Sequence, residues 1–233
     1  MVIHQGVELF RYSAAPDTAG KYQPPVNPPR VQATYKLEIQ LGDTILGAST
    51  TTPPEVYLDA AVLLDTRTQA EQGRLRLFDE AGAAAYTAPE NQLHYLEGLL
   101  EVSFAPVQAA GYQVALFSLD PGSAFLVDAD FLEAEDQADF ERQGSSPPIA
   151  DTRGKVSQPW FSVAYAGRHL FKVYALDQNW FDYTRSNPAE NPGLGGGLAG
   201  DNFERPLFRV EGGIGLFGSA SVDSVGFTVL PRR

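Results

Sequence analysis

The stretch Tyr35-Lys36-Leu37-Glu38-Ile39-Gln40-Leu41-Gly42-Asp43-Thr44-Ile45-Leu46-Gly47-Ala48-Ser49-Thr50-Thr51-Thr52 decides the fold class. From Tyr35 to Leu41 apolar and polar residues alternate, the period of a strand with one buried face. Gly42-Asp43 supplies turn chemistry, and the β-branched run that follows reads as the returning strand. Two strands joined this tightly make an antiparallel hairpin.

Outward from the hairpin, the same period of two predicts further strands over 7–13, 57–64, 74–79, 99–104, 112–119, 160–165, 169–176, 207–211 and 221–230. Asp79-Glu80-Ala81-Gly82, Ala110-Gly111, Asp120-Pro121-Gly122 and Ala166-Gly167 separate them as turns. No amphipathic segment of helical length lies between successive strands, so βαβ units are not expected. The expected class is all-β, an antiparallel β-sandwich or partly open barrel. Proline marks boundaries: residues 22–30 carry four prolines, and Pro53-Pro54 closes the hairpin. This predicts a small N-terminal, immunoglobulin-like β unit over 1–54, packed on a larger antiparallel sandwich over 55–233, since fifty residues bury too little surface to fold alone.

Two segments break the period. In 130–140, Phe131, Leu132, Ala138 and Phe140 stand on loosely helical spacing among acidic residues, which fits a short surface helix and an acidic loop equally. In 176–185, Asp177 is suited to cap a helix and Trp180 and Tyr183 are three apart, which predicts one or two helical turns. Residues 187–200, rich in Pro and Gly, read as a long surface loop.

Composition limits the function. The 233 residues are 43% hydrophobic and 20% charged, the balance of a globular chain. A formal net charge of −12 without a basic cluster argues against nucleic acid or an anionic membrane surface as partner. Zero cysteines exclude disulfides, zinc-thiolate sites and iron–sulfur clusters. No apolar run is long enough for a transmembrane segment, and the residues after Met1 lack the layout of a signal peptide. A cytoplasmic protein, or one whose targeting segment lies outside this chain, is the expectation.

No catalytic constellation or cofactor motif emerges. His4, His94 and His169 stand in unrelated contexts, without the spacing that builds a metal site on one element. Gly218-Ser219-Ala220-Ser221 lacks the second glycine of a nucleophile elbow. The glycine run 193–200 has no Lys-Ser or Lys-Thr after it and reads as a loop rather than a phosphate cradle. Asp130, Glu133 and Asp136 belong to a dense acidic segment that offers oxygen ligands for calcium, although the alternating Asp pattern and central glycine of a calcium loop are missing. A solvated acidic face is the competing reading, and a hydrolase built on these carboxylates is a third.

Near the C-terminus, an alternating run meets Glu211-Gly212-Gly213-Ile214-Gly215-Leu216-Phe217-Gly218 before the last strand begins. Glycines this dense mark positive φ, a bulge or a close approach. Gly212, Gly213, Gly215 and Gly218 are expected to turn one strand into the next, with Gly213 or Gly215 at positive φ. Ile214, Leu216 and Phe217 are expected to lock that joint to the core.

Taken with Tyr35–Ile39, Ala48–Pro54 and the Trp180-Phe181-Asp182-Tyr183 segment, this ending resembles the Bacteroidota envelope family called domain of unknown function 4249. The resemblance implies a secreted lipoprotein encoded beside TonB-dependent outer-membrane receptors; it implies no reaction, and this chain has no lipobox cysteine. The expectation is a non-enzymatic binding or accessory protein of the cell envelope, at the outer-membrane surface or outside it, with an outer-membrane receptor as partner. A glycan is the alternative partner, bound by Trp180 and Tyr183, whose rings border the Pro-Gly loop.

Overall fold

The computed structural model describes residues 2–5, 8–11, 13–14, 22–23, 29–79, 82–94, 98–127, 142–159, 162–187 and 206–231, those before residue 29 by strand pairing alone. The chain opens with β1 (Val2–Gln5), β2 (Glu8–Arg11), β3 (Ser13–Ala14) and β4 (Tyr22–Gln23). The predicted hairpin follows as β5 (Thr34–Leu41) and β6 (Thr44–Thr51), in register from Leu41↔Thr44 to Thr34↔Thr51. Gly42 sits at φ 59°, which a two-residue hairpin turn requires. Next come β7 (Leu58–Leu64), β8 (Glu71–Leu75), the short helix α1 (Ala83–Thr87), a 3₁₀ turn at Pro89–Asn91 and β9 (Gln92–His94). The remaining strands are β10 (Leu99–Phe104), β11 (Gly111–Ser118), β12 (Gln143–Ser145), β13 (Lys155–Pro159), β14 (Gly167–Leu176), β15 (Val210–Glu211) and β16 (Ala220–Leu230). Between β14 and β15 lies helix α2 (Gln178–Ser186).

The body is an all-β sandwich. One sheet has the order β13-β10-β7-β8, and the facing sheet β12-β11-β14-β16-β9. Pairing is antiparallel except for β16 with β9, and neither sheet closes into a barrel. The core alternates as the period demands: Leu63, Leu100 and Val102 from one sheet of the sandwich meet Val114, Phe171, Val173 and Phe227 from the other. Phe171 and Phe227 are fully buried, worth about 1.5–3 kcal/mol each in apolar transfer.

The first sheet in chain order, β15-β6-β5-β1-β2, is built from the N-terminal strands and completed by β15 from the far end of the chain. The two-residue β15 pairs Val210 with Ala48 and Glu211 with Gly47.

Several strands differ from the sequence expectation for local reasons. The strand expected over 74–79 runs Glu71–Leu75, because the buried Asn91 side chain takes both backbone groups of Arg76: it accepts from the Arg76 N–H at 2.7 Å and donates to the Arg76 carbonyl at 3.0 Å. β13 spans Lys155–Pro159; of the strand expected over 160–165, residues 160 and 161 lie outside the described residues and 162–165 form no regular strand. Val163, Ala164 and Tyr165 are apolar because they seal the core, not because they form a regular strand. The strand expected over 207–211 is cut to Val210–Glu211: the Leu207 N–H is taken by Ser186 Oγ at 2.7 Å, and Gly212 turns the chain at φ 79°.

Candidate functional site: a cleft between the first sheet and helix α2

The Asp177 carboxylate organises the site. It stands at the N-cap of α2, where Oδ1 accepts from the Trp180 backbone N–H at 2.8 Å. Oδ2 accepts a short hydrogen bond from the Thr50 hydroxyl of β6. Thr50 Oγ1 also lies 2.6 Å from Ser219 Oγ. A hydroxyl has one proton, so with Thr50 donating to Asp177, Ser219 donates to Thr50. The Asp177 backbone N–H closes the ring by donating to the Ser219 carbonyl at 3.0 Å. Thr50 and Asp177 are both buried, and their bond ties the first sheet to the sandwich.

Asn179, in the first turn of the helix, adds a second tie. Its side-chain amide donates to the Ser49 carbonyl at 2.6 Å and to the Phe217 carbonyl at 2.8 Å, bridging β6 and the glycine-rich turn. The turn is shaped by close approach. Gly212 and Gly215 hold positive φ, 79° and 145°. A Cβ on Gly213 would lie 3.1 Å from the Leu46 side chain, and one on Gly218 would lie 3.0 Å from Trp180 Cβ and 3.2 Å from Asp177 Oδ1. The apolar residues of the turn do not lock it to the core: Ile214 is 83% exposed and Leu216 42%, while Phe217 is half-buried. Hydrogen bonds and glycine clearances hold the joint instead.

Above this clasp opens a cleft of about 480 Å³, lined by the end of β6 and Thr52-Pro53-Pro54 on one side, and by Gln108-Ala109-Ala110 and the start of α2 on the other. The volume is within the range of ligand sites, roughly 300–1,000 Å³. Among the described residues the lining is uncharged apart from Asp177 and holds no aromatic ring: Gln32, Gln108, Gln178, Ser49 and Thr51 present amides and hydroxyls. All five are exposed, with Gln108 and Gln178 on the wall opposite Thr51.

Trp180 and Tyr183 project from α2 outside the cleft lining, and both are half-buried. The Trp180 ring packs on Tyr174 of β14, with centroids 6.0 Å apart, and the Tyr183 ring on Phe208 at 6.1 Å. They are not the exposed platform expected of them, and the Pro-Gly segment from residue 188 on lies outside the described residues.

Midway along α2, Asp182 is 1% exposed. Arg185 Nε donates to Oδ1 at 3.0 Å and Arg209 Nε to Oδ2 at 2.9 Å. Burial pushes the carboxyl up, but hydrogen bonds from Arg209, Gln178 and Arg185 outweigh it and hold Asp182 below the ordinary carboxylate range. This pair anchors the residue before β15 to the helix.

The metal candidates Asp130, Glu133 and Asp136 lie outside the described residues. Among the described residues, no group of three or more His, Asp or Glu side chains is arranged to hold a metal ion. The histidines sit apart. His169 is buried in the sandwich, stacked on Phe227 at 5.5 Å, with Nδ1 3.0 Å from the Gly167 carbonyl and Nε2 without a hydrogen-bond partner among the described residues. Burial depresses its pKa from 6.5 to about 4, so the imidazole is neutral near pH 7. His94 Nδ1 lies 3.1 Å from the Pro231 carbonyl, near the end of the chain.

No described helix is long and apolar enough to cross a membrane. The chain matches no protein-family profile, no curated protein and no solved structure. What defines the molecule is therefore its own architecture, an all-β sandwich with a clasped polar cleft.

Proposed function

We propose that this chain is a non-catalytic binding module of the cell envelope, and that its partner enters the cleft above Thr50 and Asp177. The observation that carries the binding reading is the chemistry of the lining. Amides and hydroxyls stand at the mouth, while the one carboxylate has its two oxygens engaged by Trp180 N–H and Thr50. Donors and acceptors without a poised acid, base or nucleophile suit recognition better than bond breaking.

The envelope setting rests on the resemblance carried by Ala48–Pro54 and Gly212–Gly218. An outer-membrane receptor of an uptake system is the partner that setting suggests. These two sequence segments meet at the site: β6 and the glycine-rich turn are the elements bridged by Asn179.

Fractionation of cells making the full-length protein tests the setting. Enrichment with outer membranes or in the medium is expected, and recovery solely from the soluble cytoplasmic fraction would contradict it. Retention of a receptor from detergent-solubilised envelopes tests the site. Gln108→Trp, which fills the mouth, is expected to abolish retention, and undiminished retention would move the site elsewhere.

A further inference from the structure

We infer that the cleft receives an extended, uncharged peptide segment as an added strand on the outer edge of β6, an assignment that rests on the cleft being the binding site. The register of the hairpin fixes which backbone groups are available. In a two-residue hairpin Leu41 and Thr44 form a hydrogen-bonded pair, and such pairs recur at every second position. The Thr52 N–H donating to the Ala33 carbonyl at 3.0 Å keeps that phase. The even-numbered residues of β6 therefore bond to β5, and Gly47, Ser49 and Thr51 direct their N–H and C=O to the opposite edge. Thr34 Oγ1 and Thr51 Oγ1, 2.9 Å apart, show the close side-chain approach of a non-hydrogen-bonded pair.

Along that outer edge the partner changes. At Gly47 it is β15, which pairs no further than Ala48. At Ser49 the carbonyl accepts from the Asn179 side chain, a carboxamide standing where the N–H of a neighbouring strand would stand. At Thr51, among the described residues, no strand continues the pairing, and Thr51 lines the cleft. An extended peptide supplies the missing ladder groups, and Gln108 and Gln178 at the opposite wall match its amides. The uncharged mouth selects an uncharged segment. Sugar rings dock on aromatic faces, and among the described residues none lines this cleft.

The test titrates the intact isotope-labelled protein with an N-acetylated, C-amidated hexapeptide of alternating serine and valine, and separately with maltohexaose, following amide resonances. The peptide is expected to shift Thr51 and the side-chain amides of Gln108 and Gln178. Thr51→Pro, which deletes the outward N–H together with the hydroxyl that meets Thr34, is expected to weaken binding about tenfold or more, and Thr51→Val, which deletes the hydroxyl alone, to leave it intact. Should Thr51→Pro not fold, Gln108→Trp is expected to abolish the same shifts. Undiminished peptide binding in a folded Thr51→Pro protein would overturn strand addition. Shifts at these residues from maltohexaose alone would overturn the peptide assignment and leave the cleft as the site; shifts from neither would overturn both.

Discussion

Thr50 and Asp177, 127 positions apart, share a buried hydrogen bond that joins the first sheet to the sandwich. Its two ends also serve local structure, since Asp177 caps α2 and Thr50 lies within 2.6 Å of Ser219. The cleft exists because this bond holds its two walls at a fixed separation. Thr50→Val is expected to cost about 1–2 kcal/mol and Asp177→Ala about 2–3 kcal/mol, because each leaves buried polar partners unpaired. In a double-mutant cycle by urea unfolding the pair should couple by about 1 kcal/mol. Additive losses would show that the two residues stabilise the fold independently.

Gly218 is a second point at which the joint is set by clearance. A methyl group there meets Trp180 Cβ at 3.0 Å, Leu216 Cδ1 at 3.1 Å and Asp177 Oδ1 at 3.2 Å. Gly218→Ala is expected to destabilise by about 1–3 kcal/mol. Gly144→Ala, with nothing within 4 Å, is the control and should be neutral or slightly stabilising. Equal effects at the two sites would refute the steric account.

Asp182 predicts a consequence of burial. Asp182→Asn leaves Arg185 and Arg209 without their anion and is expected to cost about 3 kcal/mol. The wild-type carboxyl is held below its ordinary range, so its stabilisation is present above the unfolded pKa and is lost as pH falls through the folded value. The variant's unfolding free energy should therefore depend less on pH below about 4 than the wild type's does.

His169 titrates in the opposite sense to a paired histidine. Its pKa is depressed to about 4 by burial, with the Gly167 carbonyl and Asp120 opposing and Arg142 adding to the effect. Between pH 6.5 and about 4 the unfolded chain binds a proton that the folded protein does not, so stability falls as pH drops through that window. The loss is on the order of 3 kcal/mol at most. His169→Phe should flatten this part of the curve, and an unchanged slope would exclude His169 as its source.

The sandwich was legible because its strands obey one rule. In β10 and β14 alternate residues face the core, so Val102 and Phe171 could be assigned from spacing alone. The Asp177 cap was legible too, since an N-cap acts within three residues. Where a distant side chain intervenes, the local rule fails. Asn91 ends β8 from fifteen residues away, and nothing near Leu75 announces it. The cleft was hidden for the same reason: Thr50, Asp177, Asn179 and Ser219 meet only after the first sheet docks on α2. Trp180 and Tyr183 drew attention as aromatics, yet helix geometry turns their rings onto Tyr174 and Phe208.

Photo-crosslinking from the cleft tests the central claim most directly. A benzophenone amino acid placed at Gln108, in the full-length protein in its native envelope, is compared with one at the exposed Arg67 in the turn after β7. A discrete adduct from position 108, absent from position 67 and suppressed by Thr51→Pro, is the result predicted. Adducts from both positions alike, or from position 67 alone, would contradict a binding site in the cleft.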